Sequence, residues 1–234
     1  GCSKNLVDTE MMIGLMEKAG YEMTEDLNEA NVIIINTCTF IDAAKDESVQ
    51  TLLQATEYKK NGKCEKLVAA GCLSQQFQEG LAREIPELDV LLGTESWSKI
   101  LDAVNESYRT GKQVNCFDSA PCEHEELIPR QLVTPKYTAY VKIAEGCNNG
   151  CTFCYIPYVR GKARSRPIPS VVHEVKRLAA QGVKEFNLIA QDLSYYGRDL
   201  GDGTNLAGLL RELVKVEGVK WIRLFYLYPT YFTD

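Results

Sequence analysis

The stretch that most constrains this chain is Cys147-Asn148-Asn149-Gly150-Cys151-Thr152-Phe153-Cys154, a C-x3-C-x2-C run with an aromatic residue before its last cysteine. Three soft ligands within eight residues let one loop wrap its thiolates around a metal centre, and thiolates select zinc, copper(I) or iron-sulfur clusters over hard cations. A structural zinc site closes with a fourth protein ligand. Neither histidine, His124 or His173, lies in or beside the run. The run therefore reads as a metal loop with one position open. Phe153 is either an ordinary core aromatic or part of that site.

The fold must present this loop, and the surrounding pattern says how. Met12, Leu15, Met16 and Ala19 recur at helical spacing and stop at Gly20. Val32 to Asn36, Leu67 to Ala70 and Asp89 to Leu92 are short apolar bursts of the kind found in strands buried on both faces. Helices are expected between and after them over 41–60, with Val49, Leu52 and Thr56 on one side, and over 73–84 and 96–108. Alternation of this kind specifies a doubly wound parallel α/β domain over 1–110. Residues 111–136 carry Pro121, Pro129, Pro135 and the charged patch Glu123-His124-Glu125-Glu126, and read as a linker.

A second domain is expected over 137–234. Ala139 to Ile143 is a strand that hands its end to the cysteine run, the logic of a β/α barrel with its site on that face. A helix opened by Ser170 buries Val171, Val175, Leu178 and Ala179 and ends at Gly182. Glu185 to Ala190 is the next strand; Leu206, Leu209, Leu210, Leu213 and Val214 line the next helix; Trp221 to Tyr226 is the third strand. The glycines Gly197, Gly201 and Gly203 match no phosphate or dinucleotide motif and read as a turn. With three strands after residue 137 and none before Cys2, the chain reads as trimmed at both ends and as inactive alone.

Nine cysteines in a chain without a leader or an 18-residue apolar run point to a reducing, cytoplasmic setting and to metal or catalytic roles rather than disulfides. Cys38 and Cys72 each follow a strand, and Cys2 opens the chain ahead of the first helix. Carboxyl ends of parallel strands form the ligand edge of an open α/β sheet. If a strand preceded Gly1, Cys2, Cys38 and Cys72 would converge there, although one cysteine at a strand end is usually just a small buried residue. Cys64, Cys116 and Cys122 read as incidental thiols. The net charge of −6 argues against a nucleic acid held by bulk electrostatics, and no membrane partner is expected.

The run Cys147 to Cys154 resembles the cluster loop of the radical S-adenosylmethionine superfamily. With the cysteines at 2, 38 and 72 the chain is similar to the methylthiotransferase family within it. The local words Gly1-Cys2-Ser3-Lys4-Asn5-Leu6-Val7-Asp8, Asn36-Thr37-Cys38-Thr39-Phe40-Ile41-Asp42-Ala43-Ala44-Lys45 and Gly71-Cys72-Leu73-Ser74-Gln75 resemble its ribosomal-protein aspartate branch. The alternatives are the transfer-RNA adenosine branch and, outside enzymes, a structural zinc protein.

The resemblance implies a 4Fe-4S cluster on Cys147, Cys151 and Cys154 with S-adenosylmethionine on its open iron, and a second 4Fe-4S cluster on Cys2, Cys38 and Cys72. It implies the first half of a partial β/α barrel after residue 137. By the same likeness Phe153 lies near the adenine, with Tyr155 beside it on the cofactor. Gln191 and Asp192 contact the ribose or methionyl part, unless they are polar loop caps. From the basic stretch after the loop, Arg160, Arg164 or Arg166 is expected to grip a carboxylate of cofactor or substrate, unless it is only a solvated turn. The implied reaction is addition of a methylthio group to the β-carbon of an aspartate in ribosomal protein twelve of the small subunit. It draws electrons from a flavodoxin-like or ferredoxin-like donor and needs no side-chain acid or base.

Overall fold

A computed structural model describes residues 1–117 and 120–229. Positions 118–119 of the expected linker and 230–234 of the expected second domain lie outside the described residues. The chain divides into two compact units, Gly1–Glu123 and His124–Asp234.

In the first unit four parallel strands, β1 (Val32–Thr37), β2 (Lys66–Gly71), β3 (Val90–Leu92) and β4 (Val114–Cys116), lie in that order. Helices α1 (Ser3–Lys18), α2 (Asp42–Asn61), α3 (Cys72–Phe77), α4 (Glu79–Glu84) and α5 (Ile100–Thr110) connect them. All six residues of β2 are buried, as a parallel strand covered on both faces requires. Its side chains alternate between the faces. Leu67 and Ala69 join Leu91, Leu52, Ala55 and Leu81 in one apolar cluster, while Val68 and Ala70 point the other way. Helices α1 and α5 pack on each other outside that cluster, so the sheet is wound on both sides.

Two details differ from the sequence pattern. The helix expected over 73–84 is two helices, because Gln78 between them adopts φ 43°, outside the helical region. The expected linker is not one element. Val114–Cys116 pairs in register with Val90–Leu92 as β4, and residues from His124 onward belong to the second unit. A three-residue strand at a sheet edge carries too little hydrophobic periodicity to show in sequence.

The second unit holds a parallel sheet in the order β5 (Thr138–Lys142), β8 (Glu185–Ile189), β9 (Trp221–Phe225), and a short antiparallel pair of β6 (Ala144–Glu145) with β7 (Arg164–Ser165). Helices α6 (Ile156–Val159), α7 (Ile168–Ala180) and α8 (Leu206–Leu213) complete it. α7 starts two residues before Ser170, where Pro169 suits the first turn. Phe186, Leu188, Val141 and Ala139 from the strands pack with Val171, Val175 and Leu178 of α7 and Leu209 and Leu213 of α8. Val214, expected on that apolar face, is instead 68% exposed, because the helix has ended at Leu213. No helix among the described residues is long and apolar enough to cross a membrane.

Candidate metal centre

In the first unit, strand register does the positioning. Thr37 pairs with Gly71 across the parallel strands, so Cys38 and Cys72 are the next residues off neighbouring strand ends. Cys2 caps the start of α1 in extended conformation, and its thiol reaches Asn5 Oδ1 at 3.3 Å. Asn5 then donates from Nδ2 to Thr37 O at 2.7 Å and to Asn36 Oδ1 at 3.1 Å, and Asn36 Nδ2 returns a bond to Asn5 O at 2.8 Å. Thr37 Oγ1 donates to Ala70 O at 2.6 Å and accepts from Leu73 N at 3.2 Å. Through Asn5 and Thr37, the three backbone segments that carry Cys2, Cys38 and Cys72 are bonded to one another.

Gly71 makes this possible. It sits at φ 89°, and a Cβ there would meet Asn36 Oδ1 at 2.3 Å and Thr37 O at 2.7 Å. Cys38 is fixed further by Ser48, whose Oγ accepts from Cys38 N at 2.9 Å. Cys38 and Cys72 are buried and Cys2 is exposed.

In the second unit the cysteines ride on an irregular loop. Lys142 of β5 and Ile189 of β8 are register partners, so the Cys147 loop and the Gln191-Asp192 segment leave the same edge of the sheet. Gly146 turns the chain at φ 71°, where a Cβ would lie 2.1 Å from Lys162 O. Cys147 N donates to Gly161 O at 3.1 Å and Cys154 N to Cys151 O at 3.0 Å.

The two asparagines of the x3 spacer fasten the loop outward. Asn148 accepts from Ala163 N at 3.0 Å and donates to Tyr195 Oη at 3.0 Å, and Asn149 donates to Asp192 Oδ2 at 3.0 Å. Cys147 and Cys154 are half-buried, while Cys151 is exposed. Burial pushes the Cys147 thiol up, against a hydrogen bond from Asn149 N, and the nearby Asp192, Cys154 and Cys151 charges push it further. A thiol so raised loses its proton when a metal takes its place.

The remaining expected residues divide. Phe153 is 84% exposed, which rules out a core role. Tyr155 is 44% exposed and stacks on Tyr158 with ring centres 5.1 Å apart. Asp192 is buried and caps a short 3-10 turn, accepting from Ser194 N at 3.0 Å, as well as holding Asn149. Gln191 is half-buried.

The basic stretch narrows. Arg160 is 2% exposed and sends Nη1 to both carboxylate oxygens of Glu145 at 3.0 Å. Arg166 donates to Glu174 Oε2 at 2.5 Å and Lys142 O at 2.8 Å. Each guanidinium therefore meets a buried carboxylate, as a buried charge requires. Arg164, half-exposed, donates to Lys162 O at 3.1 Å.

The sequence pattern does not single out the partners: Asn5, Asn36, Thr37, Glu145 and Glu174. Asn148 and Asn149 stand in it only as polar spacers between cysteines. Lys142, only 2% exposed, approaches Glu145 Oε2 at 3.1 Å, and burial of Glu145 is outweighed by Arg160 and Lys142, which hold its carboxyl down at about 2.

All nine cysteines are free thiols. Among the described residues no three His, Cys, Asp or Glu side chains stand close enough together to hold a single ion. An iron-sulfur cluster makes a different demand, since each thiolate binds its own iron. The donor sets fit it: each trio is made of three free thiols, with no histidine among the ligands. Near the first trio, Ser3 and Ser74 also keep buried hydroxyl oxygens without a hydrogen-bond partner, donors that sulfur acceptors can use.

The model described as uncharacterized protein family UPF0004 matches residues 1–93, and that of the radical SAM superfamily matches 141–231. The ribosomal protein uS12 methylthiotransferase RimO of Syntrophotalea carbinolica is 51% identical over 235 residues, spanning 100% of this chain and 51% of the relative. RimO of Symbiobacterium thermophilum is 50% identical over 234 residues, 100% of this chain and 48% of the relative. Among solved structures, the radical S-adenosylmethionine methyltransferase TsrM from Kitasatospora setae superposes with TM-score 0.58 at 15% identity, covering 92% of this chain and 48% of that one. The cobalamin-dependent S-adenosylmethionine radical enzyme OxsB does so with TM-score 0.59 at 11% identity, over 92% of this chain and 35% of its own. These two share the fold. The chain spans about half the length of the curated relatives it matches; over its whole length it is similar to proteins named RimO, and its residues 141–231 match the radical SAM superfamily.

Proposed function

We propose that this chain is part of an enzyme that adds a methylthio group to the β-carbon of an aspartate in ribosomal protein uS12. The observation that carries the reading is the likeness, over the whole of this chain at 50–51% identity, to proteins named for that reaction, joined to two free-thiol trios on parallel-sheet edges. In this reading Cys147, Cys151 and Cys154 hold one 4Fe-4S cluster and Cys2, Cys38 and Cys72 a second. The chemistry supplied at the first, when bound, is one-electron cleavage of S-adenosylmethionine to the radical that removes hydrogen from an unactivated carbon.

What the protein contributes is placement. The Gly146 turn and the bonds of Asn148 and Asn149 hold the loop against the β8 edge. Asp192 keeps Asn149 in place, and so positions the loop. Phe153 and Tyr155, standing in solvent beside the cysteines, offer aromatic faces to the adenine. Gln191 is assigned to the methionyl part, and Arg164, half-exposed, to a carboxylate. No side chain in this arrangement acts as a strong base.

Support for cofactor class comes from the solved relatives: one TsrM structure has a bound 4Fe-4S cluster, and the OxsB structure has bound S-adenosylmethionine. A flavodoxin-like or ferredoxin-like protein supplies the electron, and the setting is cytoplasmic.

Iron and sulfide analysis after anaerobic reconstitution tests the reading. About eight irons per chain are expected, four for each trio. Cys38→Ala should lose roughly half of them and keep S-adenosylmethionine cleavage. Mass spectrometry of uS12 and of transfer RNA, each incubated with the full-length enzyme, distinguishes the substrates. Methylthio mass on the RNA alone, or zinc in place of iron, would sink the proposal.

A further inference from the structure

Two charged side chains close the neck of the Cys147 loop and have no part in the placement described above. Glu145 stands two residues before Cys147 and Arg160 six residues after Cys154. Arg160 Nη1 lies 3.0 Å from both Oε1 and Oε2 of Glu145, and the two side chains are 1% and 11% exposed. Lys142 Nζ backs the carboxylate at 3.1 Å from Oε2, and Glu125 Oε1 lies 3.5 Å from the same ammonium. At the same neck Glu145 pairs with Arg164 in the β6–β7 ladder, and Cys147 N bonds to Gly161 O.

We propose that the Glu145–Arg160 pair is a positioning device that keeps the two arms of this loop together, so that Cys147, Cys151 and Cys154 are presented as one ligand set. The inference rests on the reading that these three cysteines hold a metal centre. Between Cys147 and Cys154 lies no helix and no strand, so the arms are joined by side chains and by single bonds such as Cys147 N to Gly161 O and Ala163 N to Asn148 Oδ1. The three cysteines stay together as a set only while the ends of the two arms stay together. A short ion pair bridging the arms resists their separation directly.

Stability alone does not call for charges here. A buried pair replaced by well-packed apolar residues is often neutral or better. An ion pair, unlike an apolar contact, specifies which atoms meet. Positioning of that kind is what a loop with three ligands needs.

The test compares the chain with Arg160→Lys, which keeps the cation, with Arg160→Gln, which does not, and with the apolar double variant Glu145→Leu/Arg160→Met. Two quantities are read: the alkylation rate of Cys147 in the metal-free chain, by peptide mass mapping, and the iron lost on adding Cys147→Ala, which reports loading of this loop. The double variant should keep its circular dichroism, alkylate Cys147 at least fivefold faster and load under a third of the loop's iron. Arg160→Gln should follow it, and Arg160→Lys should recover most of both.

Unchanged alkylation and loading in a folded double variant would overturn the proposal. So would Arg160→Lys behaving like Arg160→Gln, since the charge would then be irrelevant. If the double variant does not fold, the same two quantities measured on Arg160→Gln decide the matter. If the unaltered chain loads no iron at this loop, the functional reading fails, while the alkylation rates still judge the clamp.

Discussion

The two cysteine trios are held by different means. Cys38 and Cys72 leave register-paired strand ends, and Cys2 starts a helix; neutral amide and hydroxyl bonds through Asn5 and Thr37 join their supports. The Cys147 loop has no regular element of its own, and charges surround its base. Glu145, Lys142 and Arg160 sit at the neck, with Arg166, Glu174 and Arg130 behind them. The first arrangement is preset by the sheet. The second depends on long side chains that meet only after the strands and α7 have assembled.

The largest way to break that contrast is to unbalance the charges of the second unit. Glu174 is fully buried and takes Arg130 Nη1 at 2.7 Å and Arg166 Nη1 at 2.5 Å. Glu174→Gln leaves two buried guanidiniums against a neutral amide, and should cost about 3–5 kcal/mol. Hydrogen exchange followed by mass spectrometry should show the loss in residues 124–229, with the sheet of β1 to β4 protected as before. Equal losses in both units would erase the distinction.

The same residue gives a pH signature. Burial opposes the Glu174 charge, but Arg166 and Arg130 outweigh it and hold the carboxyl below its ordinary value. A depressed carboxyl contributes stability that is complete above the unfolded pKa and is lost as pH falls through the folded one. Acid should therefore weaken the second unit of the wild-type chain below about pH 4, and Glu174→Gln should shrink that step in the pH–stability curve, leaving the part due to Glu145.

A smaller effect is expected from Gly71→Ala. The added Cβ would fall 2.3 Å from Asn36 Oδ1 at φ 89°, and strain with overpacking should cost about 2–4 kcal/mol. The loss should be read in the first unit, with iron falling at Cys2, Cys38 and Cys72 and not at Cys147, Cys151 and Cys154. Asn5→Ala is the mildest. Loss of its bonds to Thr37 O and Asn36 Oδ1 should cost about 1–2 kcal/mol, and Cys2 should alkylate faster in the metal-free chain while Cys38 does not.

Much of this architecture is legible in the chain itself. The alternation of apolar bursts with helical periods marks two α/β units, since burial on both faces of a parallel strand writes itself into consecutive residues. Leu67 to Ala70 is such a case. Other features are silent. β4 is three residues long, and the break between α3 and α4 turns on the backbone of Gln78 alone, so neither leaves a periodic trace. The arginines show the sharpest difference. Arg160, Arg164 and Arg166 look alike in sequence, and only the fold shows that Arg160 is buried against Glu145 and that Arg166 meets the buried Glu174, while Arg164 stays half-exposed.

By itself, then, the sequence determined the metal-binding vocabulary and the order of the elements that display it, because spacing and periodicity are local properties of a chain. The tertiary structure alone decided which neighbours hold each cysteine and where each charge is spent. Those outcomes depend on pairings such as Asn5 with Thr37 and Arg130 with Glu174, which exist only when distant segments are packed together and their polar groups can no longer turn to water.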